Sequence, residues 1–228
     1  MRWALAGAVF FGAFAFLTGA AVARPVATPT RAQLELMPLP KSAYGSAAMS
    51  LKSESRSGWR TNKDQAEKDL DPAMTASKLA RRGRITGFEV EFDDLSKASR
   101  AGQLVDVDNE VSLLRTKTDA TEYYTQQLST FRRFAGKRAR YGIVIDRLSF
   151  FPVPGLRGAQ GFRYRIRTNG LTVTETGAAI HIGLLVAFVG IGRTDARDVR
   201  TEVRRLGGAV NRRIHGVLAG TVTDKPFS

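Results

Sequence analysis

The chain of 228 residues contains no cysteine. Disulfides, thiolate zinc sites, iron–sulfur clusters and a lipidated cysteine anchor are therefore excluded together. Histidine is nearly as scarce: His181 and His215 are all the sequence has, too little for a histidine metal cage. Acidic residues are in deficit, 21 Asp and Glu against 35 Lys and Arg, which leaves a net charge of +14. A surplus of that size favours anionic partners but carries no information about fold. Also missing are a phosphate loop, a dinucleotide fingerprint after a strand and a G-x-S-x-G nucleophile elbow.

What is present is an ordinary globular balance, 43% apolar and 25% charged, so wholesale disorder is not expected. The first residues have the layout of an export signal: Arg2, an apolar run from Trp3 to Ala23, and a small-residue Ala21-Val22-Ala23 end. The run is long enough that an uncleaved signal anchor competes with cleavage after Ala23. Either way the remainder is expected outside the cytoplasmic membrane, exported and envelope-associated, away from nucleic acid.

Residues 24–65 hold four of the eight prolines and no periodic run, and read as a flexible or extended arm, with Leu34, Leu36, Met37 and Trp59 able to tack parts of it down. A single domain is expected over 66–220, followed by a loose tail at 221–228. A short helix is expected with Asp71 as cap and Gly83 as stop, then two alternating strands, RITGFEVEF and LVDVDNEVSLL. A helix capped at Asp119 runs to Gly136, and the segment YGIVIDRLSFF is a strand stopped by Pro152 and Pro154. In FRYRIRTNGLTVTET, Asn169-Gly170 between two alternating runs is the signature of a two-residue hairpin. A long helix opens at Asp195, with Val199, Val203, Leu206, Val210, Ile214 and Val217 on one stripe and arginines opposite. Hairpin-connected strands with amphipathic helices make an α+β fold: an antiparallel sheet packed against helices, the longest of them C-terminal.

The stretch GAAIHIGLLVAFVGIG, residues 177–192, is too short for a helical span and reads as a buried hairpin turning near Gly183. A bulge at Gly177 would turn Ile180 and Ile182 inward and leave His181 facing out. A Ser or Cys nucleophile beside a histidine has no motif to support it, so no catalytic residue is assigned. Asp106, Asp108 and Glu110 fall on one strand face and could offer oxygen ligands to calcium. One strand supplies too few of them, so this row is expected to be a solvent face, and no metal or cofactor is assigned.

The candidate site is electrostatic. Cross-strand partners in the hairpin sum to 339, which places Arg163, Arg165 and Arg167 opposite Thr176, Thr174 and Thr172 on one face. Three guanidinium forks beside three hydroxyls suit phosphate or carboxylate groups. Arg132, Arg133, Lys137, Arg138 and Arg140 form a second basic patch. The partner implied is an anionic lipid headgroup or envelope polymer, or another envelope protein.

From about Asn109 to Leu218 the order of elements resembles the extracytoplasmic domains of actinobacterial exported proteins. These are the PknH-like sensor domains and the LpqN-type lipoproteins, whose fold is similar to PsbP. The likeness runs through NEVSLLRTKTDATEYYTQQLSTFRRFAG, the core strand LLVAFVGIG and the closing helix TDARDVRTEVRRLGGAVNRRI. This sequence lacks the disulfide cysteines of the former and the lipidation cysteine of the latter. The resemblance implies a binding or scaffolding domain of the envelope and not an enzyme. The alternatives are a hydrolase using His181 or His215, and a carrier of an apolar ligand.

Overall fold

The computed structural model describes residues 28–53, 57–94, 96, 100–168 and 171–227. The segment 1–23, read as an export signal, and the turn expected at Asn169-Gly170 lie outside the described residues. Among those residues one antiparallel sheet contains eight strands. They are β1 (Lys52–Ser53), β2 (Gly58–Arg60), β3 (Arg84–Asp93), β4 (Leu104–Leu114), β5 (Val144–Pro152), β6 (Ala159–Thr168), β7 (Leu171–Ile182) and β8 (Leu185–Arg193). Their order across the sheet is β1-β3-β4-β8-β7-β6-β5, with β2 also pairing β3. The helices are α1 (Arg31–Leu36), α2 (Asn62–Lys68), α3 (Ala76–Arg81), α4 (Lys117–Phe134) and α5 (Arg200–Leu218). The fold is α+β.

The apolar run of 177–192 is the β7–β8 hairpin, turning at Gly183 with φ +61°. β8 occupies the middle of the sheet and is covered on both faces, which is why its sequence lacks polar alternation. One face is sealed by α5, whose Val203, Leu206, Val210 and Ile214 are fully buried among Ala178, Ile180, Ala187 and Val189. The other face carries α2, α3 and α4, with Leu79, Leu114, Ala120 and Tyr123 closing a smaller core.

Several local expectations differ from the structure. The stretch read as an arm is part of the domain: Leu34, Met37, Leu39, Tyr44, Ala48 and Leu51 are buried in the same core as α5. Asn109 ties the segment to the sheet, accepting from the Leu39 amide at 2.8 Å. Proline density misled here, because short helical turns around Pro38 and Pro40 place apolar side chains without any long periodic run. Helix caps fall on threonines: Thr75 caps α3 and Thr116 caps α4, each accepting from the amide three residues on. Asp71 instead accepts from the Ala73 amide in a turn before α3. α5 begins at Arg200, several residues beyond Asp195. The tail is partly tied down, with Arg213 bonded to Asp224 and the Phe227 ring 6.3 Å from Phe88.

β7 runs without a bulge at Gly177, in continuous register with both neighbours. Ile180 still faces the α5 core. His181 faces the opposite side, half-buried, with Nε2 3.2 Å from the Gly183 carbonyl and its ring 6.2 Å from Tyr124. Two covered faces remove the need for a parity change.

Candidate functional site

The sheet face opposite α5 is strongly acidic. Residues paired directly across antiparallel strands point to the same side. Register pairs Glu89 with Glu110, Glu91 with Asp108, and Asp93 with Asp106, so β3 and β4 together present three acidic pairs. Two strands away, Glu175 of β7 joins this face: it pairs with Gly192, which itself pairs with Asp106. Charged side chains in such number sit on a covered face only where something balances them.

Part of the balance comes from the chain. Arg60 binds Glu89, and Lys68 of α2 lies 2.5 Å from Glu89 and 3.2 Å from Glu91. Arg84, wholly buried, reaches Glu110 at 3.1 Å and also donates to Ser112, Asn62 and the Arg60 carbonyl. Asp106, Asp108 and Glu175 have no such partner: among the described residues no cation pairs with them. The Asp106 Oδ1 atom is shielded from solvent and accepts no hydrogen bond. Burial is the main force on all three and repulsion from the neighbouring acids adds to it. Together they push Asp108 up to about 7 and Glu175 up to about 8, and hold Asp106 well above the usual carboxylate range.

Two glycines make the convergence possible. A Cβ at Gly190 would sit 2.2 Å from Asp108 Oδ1, and one at Gly192 would sit 2.4 Å from Glu175 Oε1. The carboxylates of β4 and β7 therefore lie over the bare backbone of β8. One ligand oxygen from each of Asp106, Asp108 and Glu175 comes within 4.8 Å of the others.

This floor opens to a cleft of about 710 Å³, whose walls include Lys68, Tyr141 and the apolar Val105, Ile143, Ile166, Leu171 and Val173. A smaller recess of about 200 Å³ continues under α4, with Asp108, Glu175, Thr130, Phe131, Phe162 and Tyr164 around it. The site thus joins a charged floor to an apolar wall, the composition of a small-molecule pocket. Arg60, nine-tenths buried and also part of the cleft wall, keeps Nη2 without a partner among the described residues.

The hairpin ladder has the expected register, with Arg163, Arg165 and Arg167 opposite Thr176, Thr174 and Thr172. Its charges are largely spoken for. Arg165 grips Asp146 through two bonds of 2.7 and 2.8 Å, and Arg167 reaches the same carboxylate at 3.0 Å. The Arg165 hydrogen bond, more than any other influence, holds Asp146 below its ordinary range. Arg163 donates to the Ala196 carbonyl at 2.6 Å. Thr176 and Thr174 are 1% and 9% exposed, so two of the three hydroxyls are not on an open surface, whereas Thr172 is.

The second basic patch is dispersed. Arg140 donates to the carbonyls of Asp69, Asp71, Pro72 and Met74, fastening the turn before α3. Arg133 pairs with Asp71, and Arg132 stacks 4.4 Å over the Phe150 ring. Lys137 and Arg138 are exposed. The acidic row Asp106, Asp108 and Glu110, expected to face solvent, is instead covered by α2 and α4. Glu175 was not foreseen as its companion, since nothing local in LTVTET links it to β4.

No family model matches the chain, and no curated protein does. Among solved structures the fold is similar to the extracellular domain of PknH from Mycobacterium tuberculosis. The match has 12% identity and a TM-score of 0.52 and covers 82% of this chain and 100% of that one. Among the described residues no helix is long and apolar enough to cross a membrane.

Proposed function

We propose that this chain is an extracytoplasmic binding or sensing domain without catalytic activity, and that its ligand enters the acidic cleft with positive charge towards the floor. One observation carries the reading: Asp106 and Glu175 line an accessible cleft and Asp108 the recess that adjoins it, and among the described residues none of the three pairs with a cation, in a chain that has cations to spare. Placement outside the cytoplasmic membrane is supported by the signal-like first 23 residues and by the fold shared with an extracellular domain. A histidine hydrolase finds little support: His181 is packed on Tyr124, and His215 sits exposed near the end of α5.

A second reading keeps the ladder as an anion site. In its favour, Arg163 Nε is buried without an acceptor beside a recess of about 70 Å³. Thermal shift separates the two, using putrescine and lysine methyl ester against phosphate and citrate. The cleft reading predicts that the amines raise the melting temperature and that Glu175→Gln abolishes the rise. Stabilisation by the anions alone, lost in Arg163→Ala, would transfer the function to the ladder.

A further inference from the structure

We infer that Asp106, Asp108 and Glu175 hold one divalent cation, with calcium the first candidate; this rests on the cleft being the ligand site and names what its floor takes. Three features point there together. The first is spacing. Two oxygens on opposite sides of an ion about 2.4 Å from each lie about 4.8 Å apart, and the three carboxylates bring their ligand atoms within 4.8 Å of one another. They reach this spacing from strands that are not neighbours, across β8, because Gly190 and Gly192 leave room for Asp108 and Glu175 to lie flat.

The second is the unpartnered Asp106 Oδ1 atom, shielded from water and given no donor by the described residues. A buried acceptor without a partner is rare in folded proteins and marks a place where something unseen supplies the interaction. The third is selective neutralisation. Arg60, Lys68 and Arg84 pair with Glu89, Glu91 and Glu110 on the same face, yet none reaches these three.

The chemistry of the donors fixes the class of ion. All three are carboxylates, and neither histidine nor thiolate approaches them, so the site suits a hard, oxygen-seeking cation and not zinc or copper. Calcium takes six to eight oxygens. Three side chains leave part of that shell open towards the cleft, where water or a ligand oxygen completes it.

The test is calorimetric titration of chelator-treated full chain, in mild detergent, with calcium chloride, alongside Asp108→Asn, Glu175→Gln and the half-buried control Glu202→Gln on α5. The expected result is one ion per chain, with affinity weakened about tenfold or more in both site variants and unchanged in the control. Because each site variant removes a repelling charge, its melting temperature in chelator should not fall below that of the parent chain, which separates lost binding from lost folding. Absence of heat and of any thermal shift at 10-millimolar-scale calcium, or equal binding by Asp108→Asn, would overturn the inference. If putrescine binds and calcium does not, the metal fails and the cleft stands; if neither binds, both fail.

Discussion

The arginine ladder of β6 and the carboxylate floor of β4 and β7 lie on opposite faces of one sheet and differ in how their charge is met. Arg165 and Arg167 share Asp146, and Arg163 has the Ala196 carbonyl. Asp106, Asp108 and Glu175 converge on one another and, among the described residues, pair with no cation. The basic face belongs to the majority charge of the molecule and, Arg163 Nε apart, is satisfied within it. The acidic floor is built from the minority charge and is not. Net charge therefore says little about which sign of ligand a protein recruits; uncompensated charge in an enclosed place says more.

The largest effect should come from removing a cation that the acidic face does have. Arg84→Met leaves Glu110 buried without its partner and is expected to cost about 3–5 kcal/mol in urea unfolding. The corresponding change on the basic face, Asp146→Asn, should leave the midpoint almost unmoved while giving Arg165 and Arg167 an affinity for phosphate that the parent lacks. Comparable destabilisation by both would mean that the faces are not different in kind.

Next in size is a change of shape. Gly190→Ala drives a methyl group into the place of the Asp108 carboxylate. It should abolish cation binding at a stability cost of about 1–3 kcal/mol, the usual range for overpacking. Retained binding would show that the glycines do not create the site.

A smaller effect concerns pH. Asp108 and Glu175 have folded values of about 7 and about 8, above the ordinary carboxylate value of about 4. The folded state therefore binds more protons than the unfolded one between these limits, and stability falls as pH rises through them. Burial is the largest influence on both; Glu89, Glu91 and Glu110 repel charge at Asp108, Asp108 and Glu91 repel it at Glu175, and Lys68 attracts it at Asp108 without outweighing them. Cation-free protein should lose melting temperature between pH 5 and pH 8.5, and Glu175→Gln should flatten that slope. A slope that rises instead, or that Glu175→Gln leaves unaltered, would place the charge stress elsewhere.

Much of the fold was legible in the sequence because its signals are local. Alternation in RITGFEVEF and LVDVDNEVSLL, the pairing of FRYRIR with LTVTET and the stripe of α5 each depend on signals close together in the chain. The register of the ladder followed from parity alone, and the structure has it. The site was not legible for the same reason. Its three carboxylates come from β4 and β7, which meet only because β8, later in the chain than both, inserts between them. Once that strand order is known, D-V-D on β4, G-I-G on β8 and a lone glutamate on β7 are seen to share one face. Alternation also misled, since polar residues on every second position imply solvent only when nothing covers them, and α2 with α4 covers these. In the segment read as an arm, Leu34 and Met37 were legible as points that could tack it down, whereas Leu39, Tyr44, Ala48 and Leu51 reach the core through tertiary contacts that no short window reveals.

Anomalous diffraction from crystals soaked separately in terbium and in tungstate tests the central contrast most directly. The account predicts a terbium peak bounded by Asp106, Asp108 and Glu175, and no tungstate at Arg163, Arg165 and Arg167. A tungstate peak on the ladder with the cleft floor free of terbium would contradict it.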